Sequence, residues 1–158
     1  MENTRQNLLT LIKKLQGQPV AVIGDMVADI YLEGIIERIS REAPVLVLQQ
    51  DNEKMVAGGA ANVVNNIATI GGQAIAAGII GDDKAASGLR SILTSNKAVV
   101  DGLLTSAERT TITKTRIIAG GRATVSQQVV RIDHDNHMPM NDIDEKKLLT
   151  KLQSILPQ

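Results

Sequence analysis

The chain has 158 residues, 17 basic and 17 acidic, with 43% hydrophobic and 22% charged residues and a formal net charge of zero. These are the values of one ordinary globular domain able to bury a core, and they exclude wholesale disorder and any global field steering the chain to nucleic acid or an anionic membrane. With no cysteine there is no disulfide scaffold, thiolate zinc site or cysteine nucleophile, and with no Phe or Trp and only Tyr31 there is no stacking platform for single strands.

The start, Met1-Glu2-Asn3-Thr4-Arg5, leads into an amphipathic segment, not the apolar block of a signal peptide. No apolar run approaches the ~20 residues that span a bilayer. A soluble cytoplasmic protein without nucleic-acid or membrane partners is expected.

Leu8, Leu9, Leu11, Ile12 and Leu15 share one side of a helix that Gly17 and Pro19 terminate. Val20 to Ile23 reads as a buried parallel strand ending in a Gly24-Asp25 loop. Ile30 to Ile36 and Val45 to Leu48 are two short β-like runs around the polar link 37–42, a small flap standing off a main sheet. A glycine-led helix is expected over about 60–70, a strand at 73–80, and, after Gly81-Asp82-Asp83, a helix carrying Ala85, Ala86, Leu89, Ile92 and Leu93. This strand, Gly-Asp turn, helix grammar predicts a layered α/β fold. Val99 to Leu104 is another strand. Thr111 to Ile118 and Val125 to Ile132 form an antiparallel pair around a turn from Ala119 to Ala123. A capping-box spacing, Asp142 with Glu145, opens a last helix striped with Leu148, Leu149, Leu152, Ile155 and Leu156.

Gly58-Gly59-Ala60-Ala61-Asn62 carries the most chemistry. Two glycines ahead of a helix let a ligand approach bare backbone, the helix start offers unpaired amide donors, and Asn62 both donates and accepts. Such a set suits a hydroxyl-rich small molecule, though a plain glycine turn before a core helix has the same letters. Asp25 and Asp29 are either loop carboxylates capping local amides or acceptors for ligand hydroxyls. Lys114 and Arg116, two apart on a strand, share a face with Ile112 and Ile118. With Arg38, Arg41 and Lys54 they either protect a solvated strand edge or grip a phosphate. His134 and His137, with Asp133 and Asp135, lie in a turn-like polar segment and read as surface loop, not as a metal site. No G-x-G-x-x-G follows the first strand and no P-loop is present, which disfavours a Rossmann-like nucleotide binder.

The set Gly58-Gly59, Asn62, Gly71 and Gly81 resembles the first signature of the pfkB-type, ribokinase-like sugar kinases, with Val64 where the family usually has a small residue. Residues 24–29, 38–45, 113–116 and 127–133 are more specifically similar to the heptose-phosphate kinase branch, which makes a precursor of the lipopolysaccharide inner core. The resemblance spans about residues 19–157. It implies an α/β fold, the N-terminal half of a ribokinase-like layered α/β/α domain with a small β-flap or lid, built from roughly 30–50 and 111–133. It implies substrate contacts from Asp29, Asp25, Gly58, Gly59, Asn62, Arg116, Lys114 and Arg38. A sugar phosphate is the implied substrate, ATP and Mg²⁺ serve the complete enzyme, and the flap serves as a homodimer clasp. The family's general base lies in a Gly-Ala-Gly-Asp helix start that these residues do not contain. No catalytic residue is therefore expected here, and the ATP-binding half is expected beyond Gln158. The chain is then a truncated form, a split gene product or a pseudokinase. The rival expectation is a non-catalytic sugar-binding or dimerisation module.

Overall fold

A computed structural model of the chain describes residues 2–121, 125–137 and 139–156. In chain order the elements are helix α1 (Glu2–Leu15), strands β1 (Pro19–Ile23), β2 (Met26–Ile39) and β3 (Leu46–Gly58), helix α2 (Gly59–Thr69), strand β4 (Gln73–Ile80), helix α3 (Lys84–Ser95), strands β5 (Val99–Thr105), β6 (Ile112–Gly120) and β7 (Gln127–His134), and helix α4 (Asp142–Ile155). The expected turn after Ala119 falls partly outside the described residues, at Arg122 and Ala123, as do Met138 and Pro157-Gln158.

The strands form two sheets. One is parallel, in the order β1-β4-β5; the other is mixed, in the order β3-β2-β6-β7. β2 runs antiparallel to β3 and parallel to β6, and β6 runs antiparallel to β7. α2 and α3 pack where the two sheets meet, burying Met26, Ala28, Ala57, Ala61, Val64, Ala74, Ala76, Ile80, Leu89 and Leu93. Alanine is the commonest residue of this core, which lets backbones approach closely in a chain without large aromatics. The fully buried Leu89 and Leu93 fill what remains.

Three expectations change. β1 is parallel to β4 but forms an edge, with Val20 38% and Ile23 52% exposed, so it is not a buried strand. Both flap strands are longer than read: β2 has 14 residues and β3 has 13, the latter because residues 49–58 continue it into α2. That stretch, Asp51-Asn52-Glu53-Lys54, is an edge strand defended by charge, so the apolar alternation that signals a strand is missing. The cap of α4 is Asn141, whose Oδ1 accepts the Asp144 N–H at 2.7 Å, one residue earlier than the Asp142 box. Asp144 is itself buried and accepts the Ser106 hydroxyl at 2.6 Å, which ties α4 to the end of β5. No helix among the described residues is long and apolar enough to cross a membrane.

Candidate acceptor site

β2 leaves the core at Met26 and carries Asp29 and Tyr31 on one face, as strand alternation dictates. The parallel register sets Lys114 beside Asp29 and Arg116 beside Tyr31, all on that face. Arg116 Nη1 donates to Asp29 Oδ1 at 2.6 Å, and the guanidinium carbon lies 5.4 Å from the Tyr31 ring centroid. The Asp29 hydrogen bond, with its negative charge, holds the Arg116 guanidinium above its ordinary value against a smaller opposing effect of burial. Arg116 is thus a fixed cation, and both side chains keep about a fifth of their surface open (22% and 18%).

The second carboxylate oxygen, Oδ2, makes no hydrogen bond among the described residues, and it overhangs Gly58. A Cβ built on Gly58 would sit 2.5 Å from it. The next residue, Gly59, has φ +53°, and its Cβ would meet the Asp25 carbonyl at 2.8 Å. Only glycine permits both the left-handed backbone and this approach. α2 starts there with no side-chain cap and no acidic residue in its first turn. The Ala60 N–H is taken by the Asp25 carbonyl at 2.9 Å. Asn62 is exposed in that first turn and makes no side-chain hydrogen bond among the described residues.

The structure therefore brings Asp29, Gly58, Gly59, Asn62, Lys114 and Arg116 to one junction of flap and core. Asp25 stands at its margin. Its side chain is exposed, and it lines a cavity of about 120 Å³ with Gly24, Gly78, Ile112 and Asn136. Arg38 is not brought in. It lies exposed nine residues up β2, roughly 30 Å along the strand from Asp29, beside a separate hollow lined by Ile35, Ile36 and Glu37. Tyr31 is the residue that reasoning from the sequence passed over; its position two after Asp29 on a strand was the available signal. On β7, Arg131 binds Asp133 through two bonds of 2.9 Å, so the Lys114–Arg116 side faces an internally neutralised pair. His134, the last residue of β7 and next to Asp133, has Nε2 3.0 Å from Thr110 Oγ1.

A three-stranded parallel sheet with helices, joined to a four-stranded mixed sheet, is a fold shared with solved ribokinase-like structures. The ribokinase from Arabidopsis thaliana complexed with ribose and ATP matches with a TM-score of 0.57 at 17% identity, over 86% of this chain and 43% of that one. A carbohydrate kinase from Agrobacterium tumefaciens matches at 0.56 and 19%, over 74% and 35%. At these identities the likeness is one of fold. Residues 18–146 match the pfkB family of carbohydrate kinases, and the chain belongs to that family. The bifunctional protein HldE of Granulibacter bethesdensis is 44% identical over 131 residues, 83% of this chain and 26% of that protein. The HldE of Helicobacter pylori (strain HPAG1) is 42% identical over 130 residues, 82% and 27%. The chain thus spans about a quarter of the length of these relatives.

Proposed function

We propose that this chain is the acceptor-binding half of an ATP-dependent carbohydrate kinase that phosphorylates heptose 7-phosphate at O1, supplying precursor for the lipopolysaccharide inner core in the cytoplasm. The observation that carries this reading is the Asp29–Arg116 pair overhanging the Gly58 backbone. Asp29 Oδ2 is placed to accept from a sugar hydroxyl. The exposed Gly59 backbone and Asn62 at the start of α2 complement other hydroxyls, and Arg116 and Lys114 supply cationic donors for the phosphate already on the sugar.

ATP and Mg²⁺ belong to the complete enzyme in this proposal. The general base and the nucleotide site are assigned to a complementary half, so this chain alone binds acceptor without turning over. A second copy is the proposed partner of the flap. Ile30 and Leu32 of β2, Ile117 of β6 and Val130 and Ile132 of β7 fall on the face opposite Asp29, and Val130 and Ile132 are 48% and 53% exposed.

Calorimetry of heptose 7-phosphate binding to the purified chain tests the proposal. Saturable heat that vanishes for Asp29→Ala supports it. No heat with a folded chain contradicts it.

A further inference from the structure

Gly81, Asp83 and Thr111 form a tie that none of the substrate contacts explains. The Asp83 carboxylate caps α3, with Oδ1 accepting the Ala86 N–H at 2.8 Å. Its other oxygen, Oδ2, accepts the Thr111 N–H at 2.8 Å. The Thr111 hydroxyl, buried with its residue at 2% exposure, accepts the Gly81 N–H at 3.0 Å. The fit leaves no room: a Cβ on Gly81 would stand 2.6 Å from Asp83 Oδ2 and 2.8 Å from the Thr111 nitrogen.

Thr111 is the residue immediately before β6. From there the parallel ladder runs without a shift from Val27 opposite Ile112 to Ile35 opposite Gly120. The β3 and β7 ladders that flank it both contain shifts. Strand side chains alternate, so a slip of β6 by one residue would turn Lys114 and Arg116 to the opposite face, away from Asp29. The point at which Thr111 is fixed to the core therefore decides which face carries the cations.

We propose that Asp83 and Thr111 are positioning residues: their tie to Gly81 locks the register of β6 and so sets Arg116 against Asp29. The proposal rests on the acceptor-site reading for its functional consequence, but the lock itself can be read without ligand.

The test uses the 158-residue chain. Nuclear magnetic resonance contacts between the amides of residues 27–31 and 112–116 report the register. The near-ultraviolet circular dichroism band reports the Tyr31–Arg116 stack, because Tyr31 is the only Tyr, Phe or Trp present. Thr111→Val removes the acceptor for Gly81, and Asp83→Asn keeps a capping oxygen for α3 while losing the acceptor for Thr111. Both are expected to lose the native cross-strand contacts and change the Tyr31 band while keeping far-ultraviolet helicity. Both should bind heptose 7-phosphate roughly ten- to a hundredfold more weakly, the worth of one charge-assisted hydrogen bond. Thr111→Ser is expected to restore all three. If Thr111→Val does not fold, Asp83→Asn decides. Native contacts and an unchanged Tyr31 band in folded Asp83→Asn would overturn the lock. Absence of sugar binding by the unaltered chain, with the register still responding to these variants, would overturn the acceptor reading and leave the lock standing.

Discussion

Asp29 and Arg116, 87 residues apart in the chain, meet at 2.6 Å across the parallel pairing of β2 and β6. The pair does two things at once. It neutralises a carboxylate that would otherwise stand alone over the Gly58 backbone, and it fixes a guanidinium with spare N–H groups at the foot of the flap.

Arg116→Ala separates binding from folding. Both partners retain contact with water, so loss of the pair is expected to cost stability only about 1 kcal/mol or less. Affinity for a sugar phosphate is expected to fall roughly ten- to a hundredfold. Chemical denaturation and calorimetry on the same preparation check both halves, and a large stability loss with unchanged affinity would make the pair structural.

Asp83 gives a pH signature. Burial opposes its ionisation, but hydrogen bonds from the Thr111 and Ala86 amides outweigh this and hold the carboxyl below its ordinary 3.8. A lowered folded value means that the carboxylate stabilises the fold fully above the unfolded value, and that this contribution fades as pH falls through the lowered one. The stability gap between the natural chain and Asp83→Asn is therefore expected to be widest near neutrality and to narrow below about pH 4. Urea unfolding at several pH values measures that gap; one that widens in acid would contradict the assignment.

Leu89→Ala probes the core at the meeting of the two sheets. The side chain is fully buried among small residues that cannot collapse far into the space left. A loss of about 3 kcal/mol is expected in denaturant unfolding.

The flap face makes a separate prediction about assembly. Ile132→Asp places a charge on the exposed apolar patch of β7. If a second copy covers that patch, sedimentation is expected to show the natural chain self-associating and the variant monomeric, with heptose-phosphate binding by the variant retained.

The local parts of this structure were legible from sequence. The strand Gln73–Ile80 was read to the residue, because an apolar run lies between glycines at 72 and 81. Gly58, Gly59 and Asn62 were placed correctly at a helix start, because glycine and helical period are local signals. Period two put Lys114 and Arg116 on one face, but nothing near them in sequence said that the strand beside them would be β2, so the Asp29 partnership was invisible to local reasoning. Parallel pairing across such a separation carries no turn signature. Arg38 shows the converse: its charge suits a phosphate, but an unbroken fourteen-residue strand carries it away from the junction. Asp83 was seen only as part of a Gly-Asp turn, since the tie to Thr111 is as non-local as the ion pair.

The most direct test of the central claim is an amide-resonance titration of the isotope-labelled chain with heptose 7-phosphate. The account predicts saturable shifts concentrated at Asp29, Gly58 to Asn62 and Lys114 to Arg116, with Arg38 unmoved. Saturable shifts that leave Asp29 and Gly58 to Asn62 untouched, or no shifts at all in the folded chain, would contradict it.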